Sequence, residues 1–407
     1  MFISLIKEIV ATLPNILSRV KQTSRRIIML VKKMKEDKYK EAIQLSEYAF
    51  QYKVPLDEME KRLERMRKSH ILYGILEDDV LVAKLHLLPF EIHLGEKQWK
   101  MGGIAGVATY PEYRRKGYVK ELLTHSLHVM KEEGYTVSML HPFSIPFYRK
   151  YGWEVLSNRL KCTFTKSDLV MLPTDTNTGN IKRYRDVSDF TELSTVYDQY
   201  ASTFSGMLVR SKDWWEQITE GLHAAIYYED IVPTGYLLYS IKDSKMEVEE
   251  FITLEKGARN GLWNFICQHD SMINTLEIIT YEKDPLIFSL INPNIKMEVS
   301  PYFMTRIVDV EAFIKQYKVN PGRESVKIKI TDPFAPWNEQ TFLLGEEKSG
   351  NHSEEMEMTI NTFSALAFGY KRPRELYEVG LITGKKEQIE KLEDLIPIQQ
   401  TYFYDFF

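Results

Sequence analysis

Residues 102–119 constrain this chain more than any other part of its sequence. They predict a strand of alternating polarity, a basic turn Arg114-Arg115-Lys116-Gly117, and a helix that opens at once at Tyr118. The first N–H groups of a helix have no partner within the helix, so they bind anions readily. Glycine also lets the backbone approach a ligand closely. The segment therefore predicts a pyrophosphate site, and an ordinary basic helix start without a ligand is the alternative.

The composition is that of a globular protein with several cores. At roughly 150 residues per domain, the 407 residues predict two or three domains. The hydrophobic fraction of 44% and the charged fraction of 27% exclude disordered and low-complexity classes. The net charge of −4 argues against a nucleic-acid partner. No apolar run approaches the ~18 residues that indicate a membrane-spanning helix, so none is predicted.

Cysteine and histidine usage argues against a metal centre and against a disulfide framework. The two cysteines, Cys162 and Cys267, lie far apart and have no Cys-x-x-Cys spacing. A reducing, cytoplasmic location fits this usage. The nine histidines are scattered, and although His125 and His128 share a helix face, no third ligand is near them in the sequence. We therefore expect no metal.

The chain divides into an N-terminal extension and three domains. Residues 1–26 carry apolar side chains at alternating spacings of four and three, which predicts an amphipathic helix. An interfacial helix, docking on the body, and a start codon upstream of Met29 all remain open for this extension. The limits of the three domains are predicted at 27–165, 166–298 and 299–407.

In the first domain the pattern predicts strands and helices in an order that favours an α/β unit. We expect a helix capped by Asp37, a second helix from Leu56 to about Met66, and a third from Tyr118 to Glu133. The predicted strands are Ile71 to Leu76, Val80 to Phe90, Trp99 to Thr109 and Tyr135 to Leu140.

A second segment, Phe147-Tyr148-Arg149-Lys150-Tyr151-Gly152-Trp153-Glu154, completes a recognisable pattern. With the basic turn, it resembles the Gcn5-related N-acetyltransferase (GNAT) superfamily over roughly residues 28 to 160. The acyl-CoA loop of that superfamily has the form Gln/Arg-x-x-Gly-x-Gly/Ala. Val119 stands where the final small residue is expected, a departure that would weaken or reshape pyrophosphate binding.

Features along the whole chain are similar to the Eis-type (enhanced intracellular survival) acetyltransferases. They are Tyr48-Ala49-Phe50, the basic turn, Arg306-Ile307-Val308-Asp309, and the ending Tyr404-Asp405-Phe406-Phe407. The resemblance implies a mixed α/β (α+β) fold of tandem GNAT domains, followed by a sterol-carrier-protein-like α+β domain whose C-terminus reaches the active site. The second GNAT domain is expected to be degenerate, because its turn Ala258-Arg259-Asn260-Gly261 has no basic cluster, and we expect it to bind no cofactor.

The resemblance also implies acetyl-CoA as co-substrate. The backbone of Val107, Ala108 and Thr109 would pair with the pantetheine arm. The turn and helix start would hold the pyrophosphate with Arg114, Arg115, Lys116, Gly117, Tyr118 and Val119. The acceptor amine would attack the thioester directly, because neither cysteine lies in a nucleophile motif.

Two groups are expected to carry the chemistry. In the family that the chain resembles the general acid is a tyrosine, and motif and position place it at Tyr148, while the nearby Tyr151, adjacent to Gly152, suggests a packing role. The resemblance implies the terminal carboxylate as the other group, here that of Phe407, and the aromatic run that ends the chain in place of a polar tail favours a docked C-terminus. A carboxylate with a pKa of ~3.5 removes a proton poorly from an ammonium of pKa ~10, so it would act in a desolvated site, through water, or mainly by orienting the amine. A hydrophobic terminal strand tucked into the third domain is the alternative.

The expected acceptor is a cationic small molecule with primary amines, and the resemblance implies aminoglycosides and a hexameric homo-oligomer. Asp405 is a candidate ligand for the cation and Asp57 a weaker one, since an acidic helix start is ordinary dipole chemistry. His141 would contact substrate or relay a proton, or serve structure alone. Two other functions stay open: a lipid-binding carrier or adaptor, and a protein-lysine acetyltransferase.

Overall fold

The structure is a computed structural model that describes residues 31–407 apart from 175–178, 186, 188 and 347–354. The predicted amphipathic extension, residues 1–26, lies outside the described residues. The described residues form two compact units. The first runs to Pro89 and resumes over Gly102–Gly134, and the second comprises Phe90–Met101 and Tyr135–Phe407. Within the described part of the chain, no helix combines the length and apolar character needed to cross a bilayer.

The first unit is a sheet with helices. Its elements are β1 (Val31–Lys33), α1 (Tyr39–Phe50), α2 (Met59–Ser69), β2 (Ile71–Glu77), β3 (Val80–Leu94), β4 (Lys97–Thr109) and α3 (Tyr118–Glu132), with β3 and β4 continuing into the second unit. The strands neighbour one another in the order β1-β2-β3-β4. The β2–β3 pair is antiparallel and sets Gly74 opposite Lys84 and Leu72 opposite His86.

The helices α1 and α2 bury one apolar face together with residues of β2 and β3. This core contains Met34, Tyr39, Ala42, Ile43, Leu63, Met66, Leu72 and Leu81. The predicted cap was wrong: Asp37 lies in the 3-10 turn Glu36–Lys38, and α1 follows Lys38 without a side-chain cap. The second helix starts later than predicted, because the residues after Pro55 form a turn in which Leu56 is 93% exposed.

The second unit begins with short elements that carry much of the candidate site. Its elements up to residue 307 are β5 (Val137–Leu140), α4 (Ile145–Arg149), β6 (Glu154–Val155), β7 (Asn158–Thr165), β8 (Asn180–Tyr184), α5 (Thr191–Ala201), α6 (Lys212–Ile218), β9 (His223–Glu229), β10 (Val232–Lys242), β11 (Lys245–Thr253), α7 (Lys256–Cys267), β12 (Thr275–Thr280), α8 (Pro285–Ser289), β13 (Lys296–Pro301) and β14 (Met304–Ile307).

Two sheets organise these elements. The strand β14 lies between β5 and β6 and pairs antiparallel with both. The second sheet has the order β13-β7-β12-β11-β10-β9-β8, in which β11 and β12 are parallel and the other pairs are antiparallel. On this sheet pack α7, through Leu262, Trp263 and Ile266, and α5, through Leu193 and Tyr197.

The last part of the chain is a small sheet with helices. Its elements are α9 (Val310–Gln316), β15 (Val326–Thr331), β16 (Thr341–Leu344), β17 (Glu355–Thr359), α10 (Ile360–Phe368), α11 (Pro373–Glu378), β18 (Ile382–Thr383) and α12 (Lys386–Leu395). The strand order is β16-β15-β17-β18, with β15 and β17 parallel. Large side chains including Phe363, Leu366 and Phe368 of α10 fill its interior, which joins the main hydrophobic core of the second unit.

Candidate active site

The strand β4 changes conformation before its C-terminal end. Gly106 adopts a φ of 54°, a left-handed conformation that breaks the regular pleat. The three residues after it are the ones expected to pair with the pantetheine arm. Ala108 and Thr109 are buried and Val107 is half-buried. The end of β4 is therefore largely buried and leads directly into the basic turn.

The basic turn leaves the start of α3 without a side-chain cap. The chain passes through a 3-10 turn, Pro111–Tyr113, and then through two left-handed residues, Arg115 with a φ of 65° and Gly117 with a φ of 87°. Gly117 is the residue before the helix and offers no side chain to its first N–H groups. At the start of a 15-residue helix, such groups form an anion-binding site.

The three basic side chains of the turn have different surroundings. Arg114 and Arg115 are exposed. Lys116 lies 3.3 Å from Glu77 at the end of β2, and its ammonium sits 4.6 Å from the centre of the Tyr113 ring. Glu77 thus offsets part of the positive charge that the sequence pattern assigned to Lys116, whereas the two arginines remain at the surface.

The first unit carries a groove that the sequence analysis did not predict. Its volume is about 680 Å³ and its lining is polar and aromatic: Gln44, Glu47, Tyr48, Gln51, Tyr52, Lys53 and Tyr110. The rings of Tyr48 and Tyr110 lie 5.7 Å apart. The Glu47 carboxylate pairs with Lys53 of the same lining at 3.8 Å and accepts from the Val54 N–H, so the three tyrosine rings are what the groove offers to a ligand. The closely spaced tyrosines Tyr48 and Tyr52, at and just after the end of α1, were the sequence feature that could have indicated the groove. Asp57 is not among the lining residues and lies exposed in the turn before α2.

Tyr148 lies in the short helix α4 and is only 3% exposed. Its ring packs edge-on against Phe143, Phe147 and Trp153. Burial raises the pKa of Tyr148 well above its usual value. The phenol therefore stays protonated at neutral and mildly alkaline pH, which is the state that a general acid requires.

Tyr151 shares one neighbour with Tyr148, the Phe147 ring at 5.3 Å, but its other contacts differ. Its ring lies 4.8 Å from that of Phe334, and its carbonyl accepts a hydrogen bond from Arg306. The Arg306 side chain is fully buried and makes a two-pronged ion pair with Asp332 at 2.6 and 2.7 Å. Gly152 has a φ of 93°, and a Cβ there would overlap the Arg306 guanidinium. The turn after Tyr148 is thus held by Arg306 of β14 and by Phe334 of the last domain.

The C-terminal tail is docked along much of its length. Tyr402, Phe403, Tyr404 and Asp405 are buried. The carbonyl of Asp405 accepts a hydrogen bond from the Tyr302 hydroxyl at 2.9 Å, and that of Tyr404 accepts one from Arg159 at 3.2 Å. These contacts to the main chain place the last two residues in a defined position.

Asp405 forms the centre of a buried ionic network. Its carboxylate accepts hydrogen bonds from Nε of Arg210 at 2.9 Å and from the Trp214 indole at 2.7 Å. Arg210 also pairs with Glu250, which in turn accepts from the Tyr236 hydroxyl at 2.6 Å. The side chains of Asp405 and Arg210 are both 0% exposed. The structure therefore uses Asp405 to anchor the tail, not to present a carboxylate to a substrate, because its oxygens already have donors.

The last two residues extend into a cluster of aromatic rings that includes His141. The Phe407 ring lies 5.1 Å from Phe90 and 5.0 Å from Phe303. Directly after β5, His141 lies 5.0 Å from Phe406 and 5.6 Å from the same Phe303. The surrounding rings desolvate the imidazole and lower the pKa of His141, and the charge of Arg159 lowers it further. His141 is therefore neutral at pH 7 and shares its environment with the C-terminus.

Comparisons with known proteins agree with this architecture. Residues 30–156 match the model of an acetyltransferase (GNAT) domain, residues 206–307 match another acetyltransferase (GNAT) domain, and residues 310–404 match a sterol carrier protein domain. N-acetyltransferase Eis of Mycobacterium tuberculosis is 21% identical over 336 residues, which cover 76% of this chain and 82% of that relative.

The chain carries GNAT acetyltransferase domains and resembles the Eis N-acetyltransferases.

Solved structures show the same fold over almost the whole of this chain. A protein from Enterococcus faecalis, described as a probable N-acyltransferase, superposes with a TM-score of 0.84 at 27% identity, covering 93% of this chain and 99% of that one. Eis1 from Mycobacterium abscessus superposes with a TM-score of 0.78 at 16% identity and the same coverage. The mixed α/β fold with tandem GNAT domains and a sterol carrier protein domain is thus confirmed.

The second GNAT domain of this chain differs from the first at the corresponding place. Ala258-Arg259-Asn260-Gly261 does not form a turn but lies inside α7. Gly261 packs against the Tyr227 ring, and Asn260 is buried and donates to the carbonyl of Pro173. Protein groups therefore occupy the surroundings of this segment. Among the residues that the structure describes, no group of three potential metal ligands occurs.

Proposed function

We propose that this acetyltransferase uses acetyl-CoA to acetylate primary amines of a cationic small molecule of the aminoglycoside type. The observation that carries the proposal is the docked tail, in which the Asp405 carbonyl accepts from Tyr302 and the Phe407 ring packs on Phe90 and Phe303. A carboxylate on a residue positioned in this way can orient an ammonium group. The tyrosine rings of the groove on the first unit support a cationic acceptor through their faces.

The proposed roles follow the chemistry of direct transfer. The end of β4 and the start of α3 hold the cofactor through Val107, Ala108, Thr109 and the N–H groups behind Gly117. The amine nitrogen attacks the thioester carbonyl, the C–N bond forms and the C–S bond breaks. Tyr148 gives its proton to the departing thiolate, whose conjugate acid has a pKa of ~8.5. The Phe407 carboxylate orients the amine, and His141 contacts the acceptor.

A panel of acceptors tests this function. We expect kanamycin to release CoA thiol from acetyl-CoA with the purified full chain, and a lysine-containing peptide to release it at least about tenfold more slowly. Preference for the peptide would instead establish a protein-lysine acetyltransferase. Release of thiol with neither acceptor would reject both assignments.

Three further parts of the proposal concern organisation. The pairing of β7 in the second sheet and of β14 with β5 and β6 supports domain limits near 157 and 308, in place of 165 and 298. By the Eis-type resemblance we also propose a hexamer in the cytoplasm. Mass measurement of the purified protein checks the hexamer, and cell fractionation checks the cytoplasmic location.

Moving the terminal carboxylate is expected to reduce turnover. Deletion of Phe407 transfers the carboxylate to Phe406, one residue back along the tail, so we expect kcat to fall about 10- to 100-fold with acetyl-CoA affinity unchanged. Phe407→Leu keeps the carboxylate and an apolar side chain and serves as the control. Equal kcat for the deletion and the control would show that the terminus has no part in the reaction.

The start of α3 gives a second prediction, for cofactor binding. Gly117→Ala forces a Cβ onto a φ of 87°, which shifts the turn and should weaken acetyl-CoA binding about tenfold or more by calorimetry. Gly134→Ala is the matched control, since Gly134 follows the other end of α3 with a φ of 77° and equally open surroundings. Both variants should lose similar thermal stability, so a similar loss of affinity in both would count against the turn as the pyrophosphate site.

A further inference from the structure

A buried lysine lies next to Gly106, where β4 departs from regular strand geometry, and it has no role in the mechanism above. Lys84 of β3 is 0% exposed, and its ammonium nitrogen lies 2.8 Å from Nε2 of His86. The other nitrogen of that ring, Nδ1, lies 3.1 Å from Nδ1 of His70. His70 precedes β2 and is half-buried. The three side chains thus form a continuous hydrogen-bonded line from the interior to the surface.

Among the described residues, no carboxylate pairs with the ammonium group of Lys84. Its nitrogen is hydrogen-bonded to a histidine instead. The charges that act on the cluster are those of its own members and of Arg62 in α2. Burial, with a smaller effect of Arg62, lowers the pKa of Lys84 to about 7. Burial and these charges also lower the pKa of His86, and that of His70 to about 4.

Gly106 brings the lysine against the backbone of β4. A Cβ at this position would lie 3.0 Å from the Lys84 nitrogen and 2.9 Å from the His86 ring. Because glycine has no side chain, the amine reaches the main chain directly before Val107, where the thioester arm is proposed to begin. This approach explains why a glycine with a positive φ stands here.

We propose that Lys84, His86 and His70 form a proton relay that carries the proton released by acetyl transfer from the Gly106 region of β4 to solvent. The inference rests on the proposed function and adds a route that neither Tyr148 nor Phe407 supplies.

The proton balance of the reaction requires such an exit. An ammonium and acetyl-CoA give an amide, CoA thiol and one free proton. Tyr148 gives its proton to sulfur, one of the two protons lost by nitrogen restores the Tyr148 phenol, and the other must leave. Neutral Lys84 accepts that proton and passes one to Nε2 of His86, His86 passes one from Nδ1 to His70, and His70 releases one to water. The low pKa of His70 favours this last step, because the imidazole does not retain the proton.

The pH dependence of kcat/KM with kanamycin tests the relay. For the wild type we expect kcat/KM to rise with pH through about 7, as Lys84 becomes neutral. Lys84→Met should lower kcat/KM about 100-fold at pH 7, and the rising limb should move to the pKa of the free kanamycin amines, measured by titration of kanamycin alone. At a pH above that value the acceptor is already neutral, so the variant should come within about threefold of wild type.

Two more variants keep the test decisive if Lys84→Met does not fold. His70→Gln should lower kcat/KM about tenfold at pH 7 with the same recovery at high pH. His125→Gln, a substitution of a half-buried histidine in α3, should leave the profile unchanged. A profile lowered equally at every pH in Lys84→Met or His70→Gln, or left unchanged, would overturn the relay. Wild type that binds acetyl-CoA but releases no thiol would instead reject the proposed function, and the relay with it.

Discussion

Replacing Tyr148 by phenylalanine is expected to lower kcat by about 100-fold or more while leaving the acetyl-CoA dissociation constant within about twofold of wild type. The substitution removes one oxygen from a ring that is already packed against Phe143, Phe147 and Trp153, so the local structure should persist. What is lost is the proton for the departing thiolate. Steady-state thiol release and calorimetry with acetyl-CoA measure the two quantities.

Tyr151→Phe is the matched control, because Tyr151 is also buried and lies in the next turn of chain, but its ring packs on Phe334. It should retain most of the wild-type kcat. Because burial raises the pKa of Tyr148, the acid remains protonated as pH rises, and wild-type kcat should not fall between pH 8 and about 10. A Tyr148→Phe variant with kcat within about threefold of wild type would remove Tyr148 from the chemistry.

Arg210→Met is expected to destabilise the second unit strongly. It leaves the buried carboxylates of Asp405 and Glu250 without their shared cation, and breaking a buried ion pair in this way costs about 3–5 kcal/mol. The guanidinium also stacks on Tyr197, with its carbon 3.8 Å from the ring centre. Denaturant unfolding should show the loss, and turnover should fall with it because the tail is no longer anchored.

A surface arginine provides the comparison for this substitution. Arg323 pairs with Asp394 at 3.8 Å, with side chains 55% and 61% exposed, so Arg323→Met should change the free energy of unfolding by less than about 1 kcal/mol. Acetyl-CoA affinity should survive Arg210→Met under conditions where the variant remains folded. If Arg210→Met unfolds like wild type and retains full turnover, the network does not anchor the C-terminus.

Local sequence patterns predicted the parts of the site that depend on neighbouring residues. The helix from Tyr118 follows from its glycine start and its apolar periodicity, and the structure begins α3 at that residue. The Asp37 cap failed because an acidic residue before a helical pattern predicts a cap equally well when a separate 3-10 turn intervenes. Short capping signals do not distinguish these cases.

Interactions between residues far apart in the chain could not be predicted. Asp405 had the chemistry of a cation ligand, but whether a carboxylate meets a substrate or an arginine depends on what folds against it. Here the partner is Arg210, 195 positions away. The same holds for Lys84 and His86, since alternate residues on a strand share a face but the sequence does not show that the face lacks a carboxylate.

By itself, the sequence determined the basic turn before α3 and the Tyr148 segment, because each rests on residues within one or two turns of chain, while the order of the domains followed from a resemblance along the whole chain. Only the tertiary structure decided which ionisable side chains are buried and paired. Burial and pairing depend on long-range packing, which directs Asp405 to anchor the C-terminus and leaves Lys84 in the interior with histidines as its hydrogen-bonded neighbours.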